Sequence, residues 1–167
     1  MIEIEGNLLE SEEWDIAVHN CNLYKTFGAG IALQIKEKWP EVFKADLESG
    51  GEEKFGGFTK ATLPDNRTFY NIYGMHNSYG NKYNGIHNPI LNKPCNYDGF
   101  YNGLYRVCED ATRLRTDLLV GCPKYIGCGL AGGRWTVIKA ILKDIESLFD
   151  IDFMIFDYDS SLKTVTQ

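Results

Sequence analysis

The sequence predicts an α/β fold, with helices packed against a largely parallel sheet, and three observations carry that prediction. Apolar runs of strand length alternate along the chain with longer stretches of helical period. A strand followed by a glycine-rich loop and a helix occurs twice, at 18–33 and at 120–138. A chain of 167 residues, 44% hydrophobic, is enough for one domain with a sizeable core.

Met1 to Glu5 alternates Ile2 and Ile4 with Glu3 and Glu5, which reads as a strand ending at Gly6-Asn7. Asp15 to Val18 is the second strand, and it delivers His19 and Asn22 into a loop that closes with Gly28-Ala29-Gly30. A helix follows over Gly30 to Trp39, with Ile31, Ile35 and Trp39 recurring every four positions. Pro40 breaks it, and Glu41 to Glu48 forms a second, short helix before Gly50-Gly51. Phe58 to Leu63 and Phe69 to Tyr73 make a hairpin around Pro64-Asp65-Asn66.

Gly74 to Pro94 is rich in Asn, Gly and Tyr and has neither period. It is too long for an idle connection, and Tyr79, Tyr83 and Ile86 give it more apolar content than disorder prefers, so it is expected to cover a site. Helical period returns at Tyr97 behind the N-cap Asn96, with Phe100, Leu104, Val107, Cys108, Ala111 and Leu114 on one stripe. Asp117 to Cys122 is a core strand buried at Leu118, Leu119 and Val120. Ile126 to Trp135 holds four glycines in ten residues, then runs into a helix with Trp135, Ile138, Leu142, Ile145 and Phe149 inward. Ile151 to Tyr158 is the last strand, and Ser160 to Gln167 a tail.

A net charge of −6 and a pI near 5.1 exclude a wide electrostatic footprint for nucleic acid. No apolar stretch reaches the length of a membrane span, and the N-terminus lacks signal-peptide character. The five cysteines are odd in number and none forms a C-x-x-C pair, which suits reduced thiols. His19, His76 and His87 have no metal-ligand spacing. The expectation is a cytoplasmic protein with no metal, no cofactor and no membrane partner.

The two glycine loops carry the chemistry. In a parallel sheet each lies outside the carboxyl end of its strand, where ligands bind. Gly28 and Gly30 leave backbone N–H groups uncovered at a helix N-terminus, a place that favours anions. The first loop is neither a P-loop nor the dinucleotide fingerprint, because Leu33 stands where a third glycine belongs. A single such loop could equally need glycine for tight packing and bind nothing. Two facing loops would grip a diphosphate through backbone N–H groups alone, which agrees with an acidic chain.

The segment V-H-N-C-N-(x)5-G-A-G-I-A-L-Q-I, followed by W-P, resembles the first ligand loop of the macro domain family. I-G-C-G-L-A-G-G-x-W resembles its second, phosphate-gripping loop, and E-G-N-L-L its first-strand motif. The resemblance runs from Ile4 to about Tyr158. It implies a three-layer α/β/α macro domain over residues 1–159 with a mixed, largely parallel sheet, and a tail at 160–167. The branch resembled includes ADP-ribose 1''-phosphate phosphatases, related to ADP-ribosyl-glutamate hydrolases. Carried onto this chain, Asn7 and Leu8 lie near an adenine and Asn22 near the distal ribose. Gly28, Ala29, Gly30 and Ile31 hold the diphosphate together with Gly127, Cys128, Gly129, Leu130, Ala131, Gly132 and Gly133. Tyr158 neighbours the adenine. Asn22 has a blander reading as a loop-capping amide, and Tyr158 as a sheet-edge aromatic.

His19 and Asn22 are the implied catalytic residues. Many macro domains carry asparagine at the first position, whereas the phosphatase-like branch has histidine in the setting H-x-C-N. An imidazole beside a phosphate can attack phosphorus or transfer a proton, and its ordinary pKa suits neutral pH. Hydrolase relatives place a carboxylate directly after I-G-C-G-L, and here Ala131 stands in that place. Arg134 occupies a position where related phosphatase-like sequences often have aspartate, and Lys82 falls in the loop where some relatives carry a lysine. The expected activity is removal of the phosphate from ADP-ribose 1''-phosphate. The alternatives are a deacylating mono-ADP-ribosyl hydrolase, acting on ADP-ribosylated protein or nucleic acid, and a non-catalytic ADP-ribose reader.

Overall fold

A computed structural model describes residues 1–75, 95–129 and 131–158. Among them, strands β1 (Ile2–Glu5) and β2 (Ile16–Asn20) precede helices α1 (Gly30–Lys38) and α2 (Pro40–Leu47). The hairpin β3 (Phe58–Thr62) and β4 (Thr68–Ile72) follows, then α3 (Tyr97–Ala111), β5 (Leu118–Pro123), α4 (Trp135–Leu148) and β6 (Ile151–Asp157). One sheet collects the strands in the order β1-β6-β5-β2-β4-β3. Every pairing is parallel except that of the hairpin. The expected mixed, largely parallel sheet is therefore present.

Alternation along the strands divides the core into two. Ile16 and Val18 of β2 and Val120 and Cys122 of β5 pack against α3 and α4 through Phe100, Leu104, Ile138 and Leu142. Ala17 of β2, Phe69 of β4 and Met154 of β6 face the other way, onto Ile35, Trp39 and Val42 of the first two helices. The result is three layers, α/β/α.

Pro40 does more than end α1. It is the first residue of α2, where its missing N–H costs nothing, and Trp39 caps both helices. Asn96 caps α3 by accepting a hydrogen bond from the Gly99 N–H at 2.9 Å. That helix ends at Ala111, so Leu114 does not join its stripe and is 95% exposed. Leu119 is half-buried rather than buried, because strand alternation turns it away from Leu118 and Val120. Ile31 is also half-buried, leaving Ile35 as the buried residue of α1. The second strand runs two residues further than expected, so His19 and Asn20 lie in the sheet, not in the loop. The expected cover at 74–94 and the tail at 160–167 fall largely or wholly outside the described residues.

Candidate functional site

Because β1, β6, β5, β2 and β4 all run in one direction, the segments that follow them open on one edge of the sheet. A cavity of about 620 Å³ lies there. It is lined by Asn7 and Leu8 after β1, His19 to Asn22 at the end of β2, and Thr26 to Ala32 at the start of α1. Met75 follows β4, the segment Pro123 to Gly127 leaves β5 with Gly129 and Ala131 beyond it, and Phe156, Asp157 and Tyr158 end β6. Its size is that of a small-molecule site.

Glycine geometry separates packing from function. A Cβ on Gly133 would sit 2.5 Å from the Gly127 carbonyl oxygen, and one on Gly127 within 3.3 Å of Asn20 Nδ2 and Cys95 Sγ. Those two glycines are required by close approach. Among the described residues a Cβ on Gly28 or Gly129 would meet nothing within 4 Å, and neither has a left-handed φ. Their bareness serves no packing need among the described residues, and both line the cavity. Gly30, with φ of +57°, also opens onto it.

The backbone donors follow the same division. Helix geometry leaves the N–H groups of Gly30, Ile31 and Ala32 without intrahelical carbonyls, and among the described residues no side chain caps α1. In the second loop, Cys128 N–H donates to the Tyr125 carbonyl, Gly132 N–H to Gly129 and Gly133 N–H to Gly127. Cys128, Gly132 and Gly133 thus shape the loop from within and do not line the cavity. The N–H groups of Gly127, Gly129 and Ala131 have no partner among the described residues. Leu130 lies outside the described residues.

His19 lines the cavity yet is only 1% exposed. Its ring meets Phe27 and Phe69 edge-on at 5.1 and 5.6 Å. Nε2 lies 2.6 Å from Asn71 Oδ1, and Cys21 Sγ is 3.2 Å from Nε2. Burial pushes the imidazole pKa down to about 4, against a smaller upward pull from the Asn71 hydrogen bond and the Asp46 charge. The ring is therefore neutral at pH 7. Burial also holds the Cys21 thiol well above its usual range, so it is not a ready thiolate.

Asn22 spends its amide within the first loop. Its Oδ1 accepts from the Tyr24 N–H at 2.9 Å, and its Nδ2 donates to Thr26 Oγ1 at 2.9 Å. Asn7 Oδ1 likewise accepts from the Leu9 N–H. The cavity carboxylate among the described residues is Asp157, which Lys124 engages at 2.7 Å. Ala131 is buried in the wall and supplies no acid. Arg134 is exposed and does not line the cavity; Lys82 lies outside the described residues.

Sequence reasoning missed Asn20. Its Oδ1 accepts from the Gly74 N–H at 2.9 Å, while its buried Nδ2 has no partner among the described residues. The signal was strand parity, which puts Asn20 with Ile16 and Val18 on the face toward α3 and α4. It also missed Tyr125, 52% exposed at the rim and edge-on to Trp135 at 5.5 Å. Among the described residues no helix is long and apolar enough to cross a membrane.

No family model matches the chain. An uncharacterized 17.5 kDa protein from the tk–vs intergenic region of Enterobacteria phage T4 is 26% identical over 164 residues, covering 95% of this chain and 97% of its own. Among solved structures, a protein of unknown function from Bacteroides thetaiotaomicron has a TM-score of 0.76 at 23% identity, over 93% of this chain and 96% of that one. A macrodomain protein from Streptomyces coelicolor has a TM-score of 0.71 at 20% identity, over 95% and 99%. The Trypanosoma brucei macrodomain in complex with ADP-ribose has a TM-score of 0.64 at 15% identity, over 97% and 65%. The fold of this chain is that of a three-layer α/β/α macro domain.

Proposed function

We propose that the chain binds ADP-ribose in this cavity and hydrolyses the terminal phosphate of ADP-ribose 1''-phosphate. One observation carries the reading. Gly28 and Gly129 line one cavity, a Cβ on either would touch nothing among the described residues, and the cavity is bordered by backbone N–H groups that have no partner among those residues. A diphosphate fits such a place without a cationic side chain. Leu8 and Phe156 add apolar lining to the same cavity, suited to a base. A macrodomain of the same fold holding ADP-ribose supports the ligand.

His19 enters the chemistry as a neutral acceptor. Its Nε2 hydrogen-bonds Asn71 Oδ1, which leaves Nδ1 with the lone pair, 3.8 Å from Cys21 Sγ. Nδ1 orients a water and takes its proton as oxygen attacks phosphorus. The bond from phosphorus to the anomeric oxygen breaks, the proton passes to that oxygen, and orthophosphate and ADP-ribose leave. A ring neutral at pH 7 serves in this direction and not as the initial acid.

Calorimetry with ADP-ribose and phosphate release from ADP-ribose 1''-phosphate, both with EDTA present, test the proposal. Micromolar binding with phosphate release is expected. Binding without turnover on this substrate or on ADP-ribosylated targets would leave a reader, a reading that the deep burial of His19 favours. Absence of binding heat, with no bound ligand in competition, overturns the site itself.

A further inference from the structure

His19, Asn71 and Thr59 occupy one rung of the sheet, as register partners on β2, β4 and β3. Their side chains are joined in a line that continues to α2. Asn71 Nδ2 donates to the Val42 carbonyl at 3.0 Å and to Thr59 Oγ1 at 3.0 Å. Thr59 Oγ1 lies 2.8 Å from Tyr73 Oη, and Tyr73 Oη donates to Asp46 Oδ1 at 2.7 Å. Asp46 is 1% exposed and also receives Lys54 Nζ at 3.0 Å.

The direction of every bond in this line follows from its two ends. Asp46 accepts, so the Tyr73 hydroxyl proton goes to it, and Tyr73 Oη can only accept from Thr59. Thr59 has then spent its proton and accepts from Asn71 Nδ2. A main-chain carbonyl cannot donate, so Val42 independently turns the same amide nitrogen inward. Asn71 Oδ1 is left pointing at His19, and an oxygen in that role accepts. Nε2 of His19 must carry the ring proton.

We propose that Asn71, held by the Val42 carbonyl and by the relay through Thr59 and Tyr73 to Asp46, is a positioning residue that locks His19 in the Nε2–H tautomer and keeps Nδ1 as the lone pair of the site. The catalytic consequence rests on the phosphatase reading, whereas the tautomer does not. Nothing in V-H-N-C-N marks Asn71 or Asp46, which lie 52 and 27 residues further along the chain. Polar groups this deeply buried need a reason, and hydrogen bonding that all runs one way polarises each donor toward the carboxylate.

Side-chain ¹⁵N chemical shifts of the chain's three histidines test the assignment, with the His19 signals identified by their loss in His19→Gln. A pyrrole-type Nε2 and a pyridine-type Nδ1 at pH 7 are expected. A protonated ring, or the Nδ1–H form, overturns the proposal in the parent protein whatever any variant does. Asn71→Leu removes the acceptor and is expected to give mixed tautomers, with turnover down roughly 100-fold and ADP-ribose affinity within about 2-fold. Asn71→Asp keeps an acceptor for the Nε2–H but loses the donor to the Val42 carbonyl and Thr59. It should favour the Nε2–H form more than Asn71→Leu does, with a pH profile moved upward because a carboxylate now favours the charged ring. If Asn71→Leu folds and keeps both the pure tautomer and the parent rate, Asn71 positions nothing. If the shifts behave as stated but His19→Ala turns over as the parent does, the phosphatase role of His19 fails while the positioning of its ring stands.

Discussion

His19 and Asn71 face each other across adjacent parallel strands, and their side chains close a 2.6 Å hydrogen bond inside the layer that packs on α1 and α2. An imidazole there has given up its hydration, and a neutral amide and the Cys21 thiol stand in its place. Desolvation exceeds the help from that amide, which is why the ring pKa falls to about 4.

Acid should therefore destabilise the fold through His19. Its folded pKa is depressed below the ordinary 6.5, so the unfolded chain takes the proton first as pH falls. The stability tied to the neutral ring is present above pH 6.5 and is lost progressively toward pH 4. Between pH 7.5 and 5 the linkage amounts to about 2 kcal/mol. Denaturant titrations at those two pH values should show His19→Gln losing less than the parent by about that amount. Equal losses would mean that the ring is already solvated.

The two kinds of glycine should separate cleanly on substitution. Gly133→Ala forces a Cβ against the Gly127 carbonyl and should cost about 1–3 kcal/mol. Gly129→Glu meets open space, so its melting temperature should stay near the parent value while ADP-ribose binding is lost to charge and bulk. Thermal melts paired with calorimetry decide it. A Gly129→Glu protein that binds normally would place the diphosphate elsewhere.

Asp46 and Lys54 form an ion pair with side chains 1% and 7% exposed. Lys54→Met leaves a buried carboxylate without its cation, held at Oδ1 by the Tyr73 hydroxyl and with Oδ2 lacking a partner among the described residues. A loss of about 3–5 kcal/mol is expected, and the double variant Asp46→Leu/Lys54→Met should be the less damaged protein. Urea midpoints of the two variants give the comparison.

Much of this fold was legible because its signals are local. Strand length, helical period, Asn96 and the hairpin turn each depend on neighbours along the chain, and each lies within a residue or two of expectation. The cavity was legible for a different reason, since two glycine loops after neighbouring parallel strands must share an edge. What stayed hidden depends on cross-strand register. Asn20 looked like one more polar residue of the first loop, and Asn71 like any residue of a hairpin strand. Only the pairing of β2 with β4 and of β4 with β3 brings Asn71 between His19 and Thr59. Leu114 failed in the opposite sense, because apolar period continued after α3 had already ended at Ala111.

Asn22 gives the sharpest contrast, because the structure assigns its amide a local task that can be separated from contact with a ligand. Oδ1 holds the Tyr24 N–H and Nδ2 holds Thr26 Oγ1, so the side chain braces the loop that leads to Gly28 and α1. Asn22→Ala removes both bonds and should weaken ADP-ribose binding by roughly 10-fold, through loss of about 1 kcal/mol or slightly more of loop order. Asn22→Asp keeps an oxygen for the Tyr24 N–H, and the Thr26 hydroxyl can donate to it, so the loop remains braced. It also brings a negative charge to a cavity built for an anion. If Asn22 only braces the loop at a distance from the phosphates, Asn22→Asp should bind nearly as the parent does and better than Asn22→Ala. If the amide also faces the ligand, Asn22→Asp should be the weaker of the two, with a deficit that shrinks as salt is raised. Equal and parent-like affinities in both variants would remove Asn22 from the site altogether.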